Sequence, residues 1–474
     1  MTSPTDPILV FDIGSSGLKA ALFAADGTML DSDEVAYPPG SHPHRQSPEG
    51  WWEAAVEAVG HLPPLRVSAI VLSGTMENLI AVDGDGSALG EALLYSDPCG
   101  AAYVEAYRDR IDPRIAGNAP EPLMTAFKLA WLREHEPEHY AAAARFLPGS
   151  KDFVAYRLTG KYVTDPTCAA TTGLMDLAAR DWSDDLLTLF EIERARLPVI
   201  LPAATVIGTL SEEAAELLHL DPGIPVINGC GDGGATTVGS GADRADDISL
   251  YLGTTGWVAR IVPPAQSAAP RPFYRLPHPF TDDIIEIAPI LSAGAAADWA
   301  RTAVGSDIPK GEALAEAADR QPGNALFLPY LHGERSPFID LDVRAAFLNV
   351  SGTDGPGELY YAALEGVAYA ISANIAAMGE LGSGSVSLVG GGALSAVWPQ
   401  IIADVLRAPI TRPASPVNAT SFGAFRIALR ALGHDDAETS FSVVATPRPD
   451  RYERLDRQRQ LFDAGTAFAR TLGR

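Results

Sequence analysis

The sequence predicts an α/β protein with two related domains that face each other. Near its start, a strand at residues 8–12 is followed by a glycine turn at 14–17 and a second strand at 18–24. The same arrangement returns about half the chain later, where a strand at 248–252 leads through the turn 253–256 into another strand. Repetition of one local module at this separation indicates duplicated units. With 474 residues, the chain is long enough for two large domains.

The other elements of the first half alternate between strands and helices. The turn pair Asp26-Gly27 leads to a third strand around Met29, which completes an antiparallel meander. Apolar spacing then predicts helices at 51–59 and 122–133 and a strand at 69–72. A strand from Ile224, a glycine cluster and a short helix of small residues end this half.

We place the domain boundary at the charged turn 243–247, which follows a glycine break. This gives an N-terminal domain of residues 1–242 and a C-terminal domain of residues 243–474. The second half closes with a strand at 386–389, the glycine triplet 390–392 and a helix with apolar residues at helical spacing.

The composition excludes several classes of protein. Sixty acidic and 35 basic side chains give a net charge of −25, which repels nucleic acids and anionic membrane surfaces. Three cysteines are too few and too scattered for a disulfide framework or a zinc cage. The start carries no basic region ahead of an apolar run, and no stretch reaches about 18 apolar residues. We therefore expect a soluble cytoplasmic protein.

Three short motifs point to chemistry that the rest of the sequence does not support. Residues 135–139 match the HExxH zinc pattern, but Pro137 interrupts the helix that this pattern needs. Residues 229–234 match a dinucleotide-binding GxGxxG motif, but the acidic residue expected after the next strand is absent. Residues 16–19 match the SxxK motif of acylating serine enzymes, without the companion motifs.

The two glycine turns and two aspartates are the residues that most suggest chemistry. Free backbone N–H groups and paired hydroxyls in each turn suit a phosphate chain, although each turn alone is also typical of a hairpin. Asp12 ends a strand and can hold magnesium through water, or cap the turn. Asp232 lies in a glycine cluster, where it can accept a proton from a hydroxyl or cap the following helix.

Taken together, the motifs resemble those of the FGGY carbohydrate kinases, over about residues 8 to 435. The segments that carry the resemblance are FDIGSSGLK at 11–19, QSPEGWW at 46–52, YRLTG at 156–160, GD at 231–232, LGTTG at 252–256, residues 328–337, ALEG at 363–366 and residues 389–406. The resemblance implies two ribonuclease-H-like domains of the actin-like ATPase fold, which close on ATP, magnesium and a sugar. A homodimer is consistent with the sequence, which does not determine the oligomeric state.

The resemblance also implies roles for individual residues. Asp232 matches the catalytic base, and Asp12, with Asp232, matches the magnesium-organising carboxylates. The nucleotide-binding positions are Gly14, Ser15, Ser16, Lys19, Gly253, Thr254, Thr255, Gly294, Gly391, Gly392 and Ser395. The sugar-binding positions are Met76, Glu77, Tyr95, Asp97 and Asp232.

The sugar-binding segment departs from the family pattern. Xylulose kinases of the family carry Gln-Met-His-Gly where this chain has Thr75-Met76-Glu77-Asn78, so Glu77 replaces a histidine. Glycerol kinases carry a glutamate there, preceded by an arginine that Met76 replaces. The W-x-D-x-R segment is also altered, to residues 95–99 without an arginine. A solvated loop position is the other interpretation of Glu77.

A carboxylate at position 77 favours hydroxyl donors and repels anions. We therefore expect a kinase for a small neutral sugar, first a pentulose such as xylulose, with a polyol or gluconate kinase as alternatives. An actin-like ATP-binding sensor without sugar transfer and a nicotinamide-dependent oxidoreductase are the rival classes.

Overall fold

The computed structural model describes residues 6–63, 66–264, 273–305, 307–382, 384–435, 437 and 440–472. The strands of the first half are β1 (Ile8–Ile13), β2 (Gly17–Phe23), β3 (Met29–Ala36), β4 (Arg45–Gln46), β5 (Ala69–Gly74), β6 (Ile80–Val82), β7 (Ala92–Leu93), β8 (Arg145–Leu147), β9 (Val163–Thr164), β10 (Met175–Asp176), β11 (Asp181–Trp182), β12 (Val199–Ile200), β13 (Val206–Thr209) and β14 (Pro225–Gly231). Those of the second half are β15 (Ile248–Leu252), β16 (Gly256–Val262), β17 (Tyr274–Pro277), β18 (Ile284–Ile290), β19 (Leu326–Leu328), β20 (Ala346–Leu348), β21 (Val386–Val389), β22 (Ile410–Pro413) and β23 (Phe441–Ala445).

The α-helices follow the same division. The first half contains α1 (Pro48–His61), α2 (Ala101–Arg108), α3 (Pro113–Ala116), α4 (Thr125–His135), α5 (Pro137–Ala142), α6 (Ser150–Thr159), α7 (Pro166–Ala170), α8 (Asp184–Phe190), α9 (Glu212–Leu218) and α10 (Asp232–Gly239). The second half contains α11 (Gly294–Ala303), α12 (Ile308–Arg320), α13 (Pro356–Met378), α14 (Trp398–Leu406), α15 (Ala419–Ala431) and α16 (Tyr452–Leu472). None of the described helices is long and apolar enough to span a membrane.

Each half is built on one mixed sheet, and the two sheets share a connectivity. The first has the order β13-β14-β5-β1-β2-β3 and the second β17-β18-β16-β15-β21-β22-β23. In the first, β1, β2 and β3 are antiparallel neighbours, and β5 and β14 continue parallel to β1. In the second, β15, β16 and β18 are antiparallel neighbours, and β21 and β22 continue parallel to β15. The repeat that the sequence indicated is therefore confirmed.

This connectivity brings the functional turns to one edge of each sheet. Because β1, β5 and β14 are parallel, their carboxyl ends meet, and these ends carry Asp12, the segment after Gly74, and Asp232. In the second sheet, β15 and β21 are parallel in the same way, so Gly253 and Gly390 follow neighbouring strands.

Most strand predictions agree with the structure, whereas helix boundaries differ by several residues. The helix predicted at 51–59 extends over Pro48–His61, because Ser47 caps its start by accepting a hydrogen bond from the Gly50 N–H. The helix predicted at 122–133 begins only at Thr125 and ends at His135. Pro137 breaks the helical pattern, as predicted: α4 ends at His135 and a separate helix begins at Pro137, so no continuous HExxH helix forms.

The two halves meet where helices α10 and α15 cross. Each follows the last parallel strand of its half, and each carries alanine and glycine four residues apart, at 235 and 239 in α10 and at 419 and 423 in α15. A methyl group built on Gly423 would lie 1.9 Å from the Ala235 carbonyl oxygen, and one on Gly239 would lie 1.8 Å from that of Ala419. Only glycine at 239 and 423 allows this approach of the two backbones.

We predict that Gly423→Ala destabilises the protein by about 1–3 kcal/mol, because backbone rather than a flexible side chain blocks the added methyl group. The control is Gly60→Ala in α1, where an added methyl group meets no atom within 4 Å. That variant should be neutral or stabilising by up to about 1 kcal/mol, because alanine favours helix. Denaturant unfolding of both variants measures the difference, and equal stabilities would contradict the close crossing.

Candidate active site

Asp232 occupies the junction between the first sheet and α10. It is the first residue of that helix, directly after β14, and its Oδ1 accepts a hydrogen bond of 2.8 Å from the Gly233 N–H. Burial raises the pKa of Asp232 to about 7, and the negative charges of Asp12 and Glu77 add to this shift. A carboxyl with this pKa can take up and release a proton near neutral pH.

Asp12 lies on β1, beside Asp232. Burial raises the pKa of Asp12 to about 6, the charge of Lys19 opposes this shift, and the Ser421 side chain hydrogen-bonds the carboxyl. Lys19 is the antiparallel partner of Asp12 on β2, and its Nζ donates to Asn418 Oδ1 at 3.2 Å. Ser421 lies in α15 and Asn418 directly before it, so the second half supports the first at this point.

The first glycine turn exposes its two serine residues at the surface of the site. The Gly14 N–H donates to the Gly17 carbonyl at 3.0 Å, which closes the turn, and both Ser15 and Ser16 are exposed. The Gln46 side chain donates to the Ser15 carbonyl at 2.7 Å. The turn is therefore held by its own backbone and by Gln46, while both serine residues stay exposed.

The second glycine turn is supported by the start of α11. The Gly294 and Ala295 N–H groups donate to the carbonyls of Gly253 and Thr254, each at 2.9 Å, and the side chains of Thr254 and Thr255 are exposed. A methyl group on Gly294 would lie 2.3 Å from the Gly253 oxygen. Glycine at 294 is therefore what lets the helix dock on this turn.

The glycine triplet adjoins the same turn, whereas Ser395 is engaged elsewhere. Methyl groups on Gly390 and Gly392 would collide with Leu252, which directly precedes Gly253, while a methyl group on Gly391 would meet open space. The Ser395 hydroxyl donates to Glu312 at 2.9 Å and accepts from the Trp398 N–H at 3.1 Å, at the start of α14. Its hydroxyl therefore caps a helix and binds a carboxylate.

Met76 and Glu77 lie next to Asp232, and Glu77 is buried rather than solvated. The Met76 sulfur packs against Gly231, where a methyl group would lie 2.3 Å from it. Glu77 has a backbone φ of 57° and is 8% exposed, so the solvated-loop interpretation is wrong. Among the described residues, its Oε1 has no hydrogen-bond partner. Such a buried, unpartnered oxygen is suited to accept a hydrogen bond from a ligand.

Two cations that the sequence analysis missed act on Glu77. Burial raises the pKa of Glu77 to about 7, and the charges of Lys128 and Arg335 oppose this shift. Lys128 Nζ donates to the Glu77 carbonyl at 2.7 Å and also to that of Leu123, and burial lowers the pKa of Lys128 to about 8. Arg335, from the second half, pairs with Glu121 of the first.

The sequence offered only partial signals for these groups. Arg335 falls within the 328–337 segment that carried the family resemblance, but Lys128 binds backbone carbonyls, which leaves no sequence pattern.

Tyr251 directly precedes the second glycine turn and lies close enough to the two aspartates to be affected by their charges. Burial raises the pKa of Tyr251, and the charges of Asp232 and Asp12 add to this shift. Its ring stacks on Trp257 at 3.9 Å.

Tyr95 reaches the site, whereas the Asp97 carboxylate is engaged in the fold. The Tyr95 N–H donates to Asn78 Oδ1 at 3.0 Å, its side chain hydrogen-bonds Ser15, and the Asp232 charge adds to the effect of burial in raising its pKa. Asp97 Oδ1 accepts from the Cys99 N–H at 2.9 Å, and its Oδ2 lies 3.6 Å from Arg45 Nε.

The HExxH motif forms no metal cage among the described residues. Within the described ranges, no three His, Cys, Asp or Glu side chains form a group that could hold a metal. His139 pairs with Glu136 at 2.9 Å, and Cys99, Cys168 and Cys230 are free thiols.

We predict that Asp232→Asn stabilises the ligand-free protein at high pH. The folded pKa of Asp232 is raised, so its contribution to stability is full below about pH 4 and is lost as the pH rises through about 7. The stability difference between variant and parent should therefore grow from pH 5 to pH 8, to on the order of 1–2 kcal/mol.

Denaturant unfolding at both pH values, without nucleotide or divalent ions, measures this difference. Asp221→Asn is the control, because Asp221 has an exposed side chain that is 73% accessible. A pH-independent difference for Asp232→Asn would show that the buried carboxyl has an ordinary pKa.

Comparison with known proteins identifies the family. Models of the N-terminal and C-terminal domains of the FGGY family of carbohydrate kinases match residues 7–239 and 276–432. The xylulose kinase of Escherichia coli K12 is 32% identical over 407 residues, which cover 83% of this chain and 84% of that enzyme. The gluconokinase of Bacillus subtilis is 27% identical over 468 residues, which cover 93% of this chain and 90% of that enzyme.

Solved structures extend the agreement to the whole fold. A xylulose kinase from Brucella ovis superposes with a TM-score of 0.88 at 28% identity, covering 98% of this chain and 99% of that one. The gluconate kinase of Lactobacillus acidophilus gives a TM-score of 0.86 at 25% identity, with 98% of both chains covered. These neighbours and the two related sheets confirm the two-domain actin-like ATPase fold. The chain belongs to the FGGY family of carbohydrate kinases.

Proposed function

We propose that this kinase transfers a phosphoryl group from ATP to a hydroxyl of a small neutral sugar, first a pentulose such as xylulose. The observation that carries the proposal is the position of Asp232, at the edge where it meets Asp12 and Glu77 and has a pKa near neutrality. The xylulose kinases among its relatives support the same sugar.

In this proposal, Asp232 is the catalytic base. Its ionised carboxylate accepts the proton of the attacking hydroxyl, and its place at the start of α10 fixes its direction. The phosphate chain is bound by backbone N–H groups and by four exposed hydroxyls, those of Ser15, Ser16, Thr254 and Thr255. Bound ATP supplies the transferable group. The protein contributes placement and charge stabilisation rather than a covalent intermediate.

Asp12 and Asp232 also fit a magnesium ion. Each has a pKa raised by burial, and the charge of Asp12 adds to the shift of Asp232, so a divalent cation near both would relieve their repulsion. Magnesium is commonly held by one or two carboxylates together with phosphate oxygens and waters, which agrees with a pair rather than a cage. We assign the ion's protein contacts to these two carboxylates.

The charges around Glu77 favour a neutral substrate. Lys128 already donates to two backbone carbonyls, and Arg335 pairs with Glu121, so both cations are engaged with groups of the protein itself. The unpartnered Glu77 oxygen accepts from a hydroxyl and repels an anion. A gluconate kinase is the second candidate, favoured by the gluconokinase relatives.

The two halves divide the work in this proposal. Residues 1–242 bind the sugar through Glu77 and Asp232 and part of the phosphate chain through Ser15 and Ser16. Residues 243–474 bind the rest of the nucleotide through Thr254, Gly294 and Gly391. We expect the enzyme to act in the cytoplasm, where ATP is supplied and free cysteines stay reduced. A homodimer stays a prediction.

We predict that the purified protein releases ADP in a sugar-dependent way and that Asp232→Asn lowers kcat by about 10²–10⁴-fold. Nucleotide affinity should remain nearly unchanged, because the variant keeps the shape of the side chain. A coupled ADP assay and calorimetry measure the two quantities, with Asp221→Asn as control. Sugar-independent ATP hydrolysis would favour the ATP-binding sensor, and full turnover by Asp232→Asn would remove its role as base.

We predict that a screen of ketoses, polyols and sugar acids ranks xylulose above a short polyol and both above gluconate. For the best sugar, Glu77→Gln should lower kcat/KM by about one to two decades, because a hydrogen bond to a charged group contributes about 1.5–3 kcal/mol. The same variant should raise the relative rate with gluconate, since it removes a like charge. A parent enzyme that prefers gluconate, or an unchanged kcat/KM in the variant, would overturn the substrate assignment.

A further inference from the structure

A fully buried polar cluster lies behind the catalytic aspartate. Lys151 Nζ contacts Asp152 Oδ1 at 2.9 Å and Asp165 Oδ1 at 3.3 Å, and all three side chains are 0% exposed. Lys151 Nζ also donates to Asn228 Oδ1, on β14, at 3.2 Å. Burying three charged groups carries a desolvation penalty in free energy. We therefore expect the cluster to contribute something besides packing.

One threonine connects this cluster to the active site. Asp165 Oδ2 accepts from the Thr167 hydroxyl at 2.5 Å and from the Thr167 N–H at 2.7 Å. Because its proton points to Asp165, the hydroxyl presents a lone pair to the other side, where it accepts from the Gly231 N–H at 2.7 Å. Gly231 directly precedes Asp232, so the chain of contacts ends one residue from the base.

The end of β14 is held between Thr167 and the sugar-binding segment. A methyl group on Gly231 would lie 2.9 Å from Thr167 Oγ1 and 2.3 Å from Met76 Sδ. The backbone therefore has little freedom on either side. Loss of the Thr167 hydroxyl would leave the buried Gly231 N–H without this acceptor and remove one of the two supports.

We propose that Thr167 is a positioning residue that fixes Asp232 for proton transfer by holding the Gly231 N–H, and that the Lys151–Asp165 pair orients its hydroxyl. The inference rests on the proposed function, because it takes Asp232 as the base. Small errors in the placement of a reacting group cost rate rather than binding. The effect of Thr167 should therefore appear in kcat.

The test compares Thr167→Val with a buried threonine of the same region. Thr167→Val keeps the side-chain shape but cannot accept the hydrogen bond, and kcat should fall about 10–100-fold while the KM values for ATP and sugar stay within about twofold. Thr167→Ser should restore most of kcat. The control is Thr171→Val, since Thr171 Oγ1 donates only to the Cys168 carbonyl, at 3.0 Å. It should lose stability without loss of kcat per folded molecule.

Several outcomes overturn the proposal. Full kcat in Thr167→Val, or an equal loss in Thr171→Val, would reduce Thr167 to a structural residue. If Thr167→Val does not fold, Thr167→Cys replaces it, and kcat equal to that of Thr167→Ser would contradict the positioning role. Asp232→Asn measured beside these variants separates the two proposals. If it is inactive while Thr167→Val is normal, only the positioning role fails; if it is fully active, the assignment of the base fails first.

Discussion

The active site depends on the close crossing of α10 and α15. Glycines 239 and 423 let the two backbones touch, and each helix carries part of the site at its start. Asp232 is the first residue of α10, whereas Asn418 and Ser421, at the start of α15, bind Lys19 and Asp12. A wider crossing would separate Asp232 from the groups that surround Asp12. The contact is made by related helices of the two halves, so the duplication that built the fold also built this support.

The desolvation penalty of forming the site falls mainly on its carboxyl groups. Burial raises the pKa values of Asp12, Asp232 and Glu77 together, which means that it opposes ionisation of all three carboxyl groups. The surrounding cations compensate for this only in part. Lys19 acts on Asp12, and Lys128 with Arg335 acts on Glu77, but the causes that lower the pKa of Asp232 are backbone hydrogen bonds rather than a cation. Among these three carboxyl groups, Asp232 is therefore the one whose charged form relies on backbone hydrogen bonds instead of a neighbouring cation.

Local patterns predicted the parts of the site that local backbone forms. The glycine turns and Asp12 follow strands whose alternation is visible in the sequence, and Pro137 excluded the zinc helix for a reason that also acts locally. Lys128 and Thr167 were not predicted, because one binds a backbone carbonyl and the other a backbone N–H that lies 64 residues away in the chain. Ser395 was predicted from the family pattern as a nucleotide contact, but its hydroxyl is bound to Glu312, a partner that spacing does not reveal.

Glu77 shows how a departure from the family pattern can be accommodated without a change of fold. Its φ of 57° is unusual for a residue with a side chain, and Lys128 holds the backbone there by donating to two carbonyls, those of Glu77 and Leu123. The same ammonium group lowers the pKa of the Glu77 carboxyl, so one lysine both holds the strained backbone and favours the charged side chain. Arg335 adds a second cation from the other half of the molecule. Because Arg335 belongs to the second half, the charge state of Glu77 is linked to the approach of the two halves.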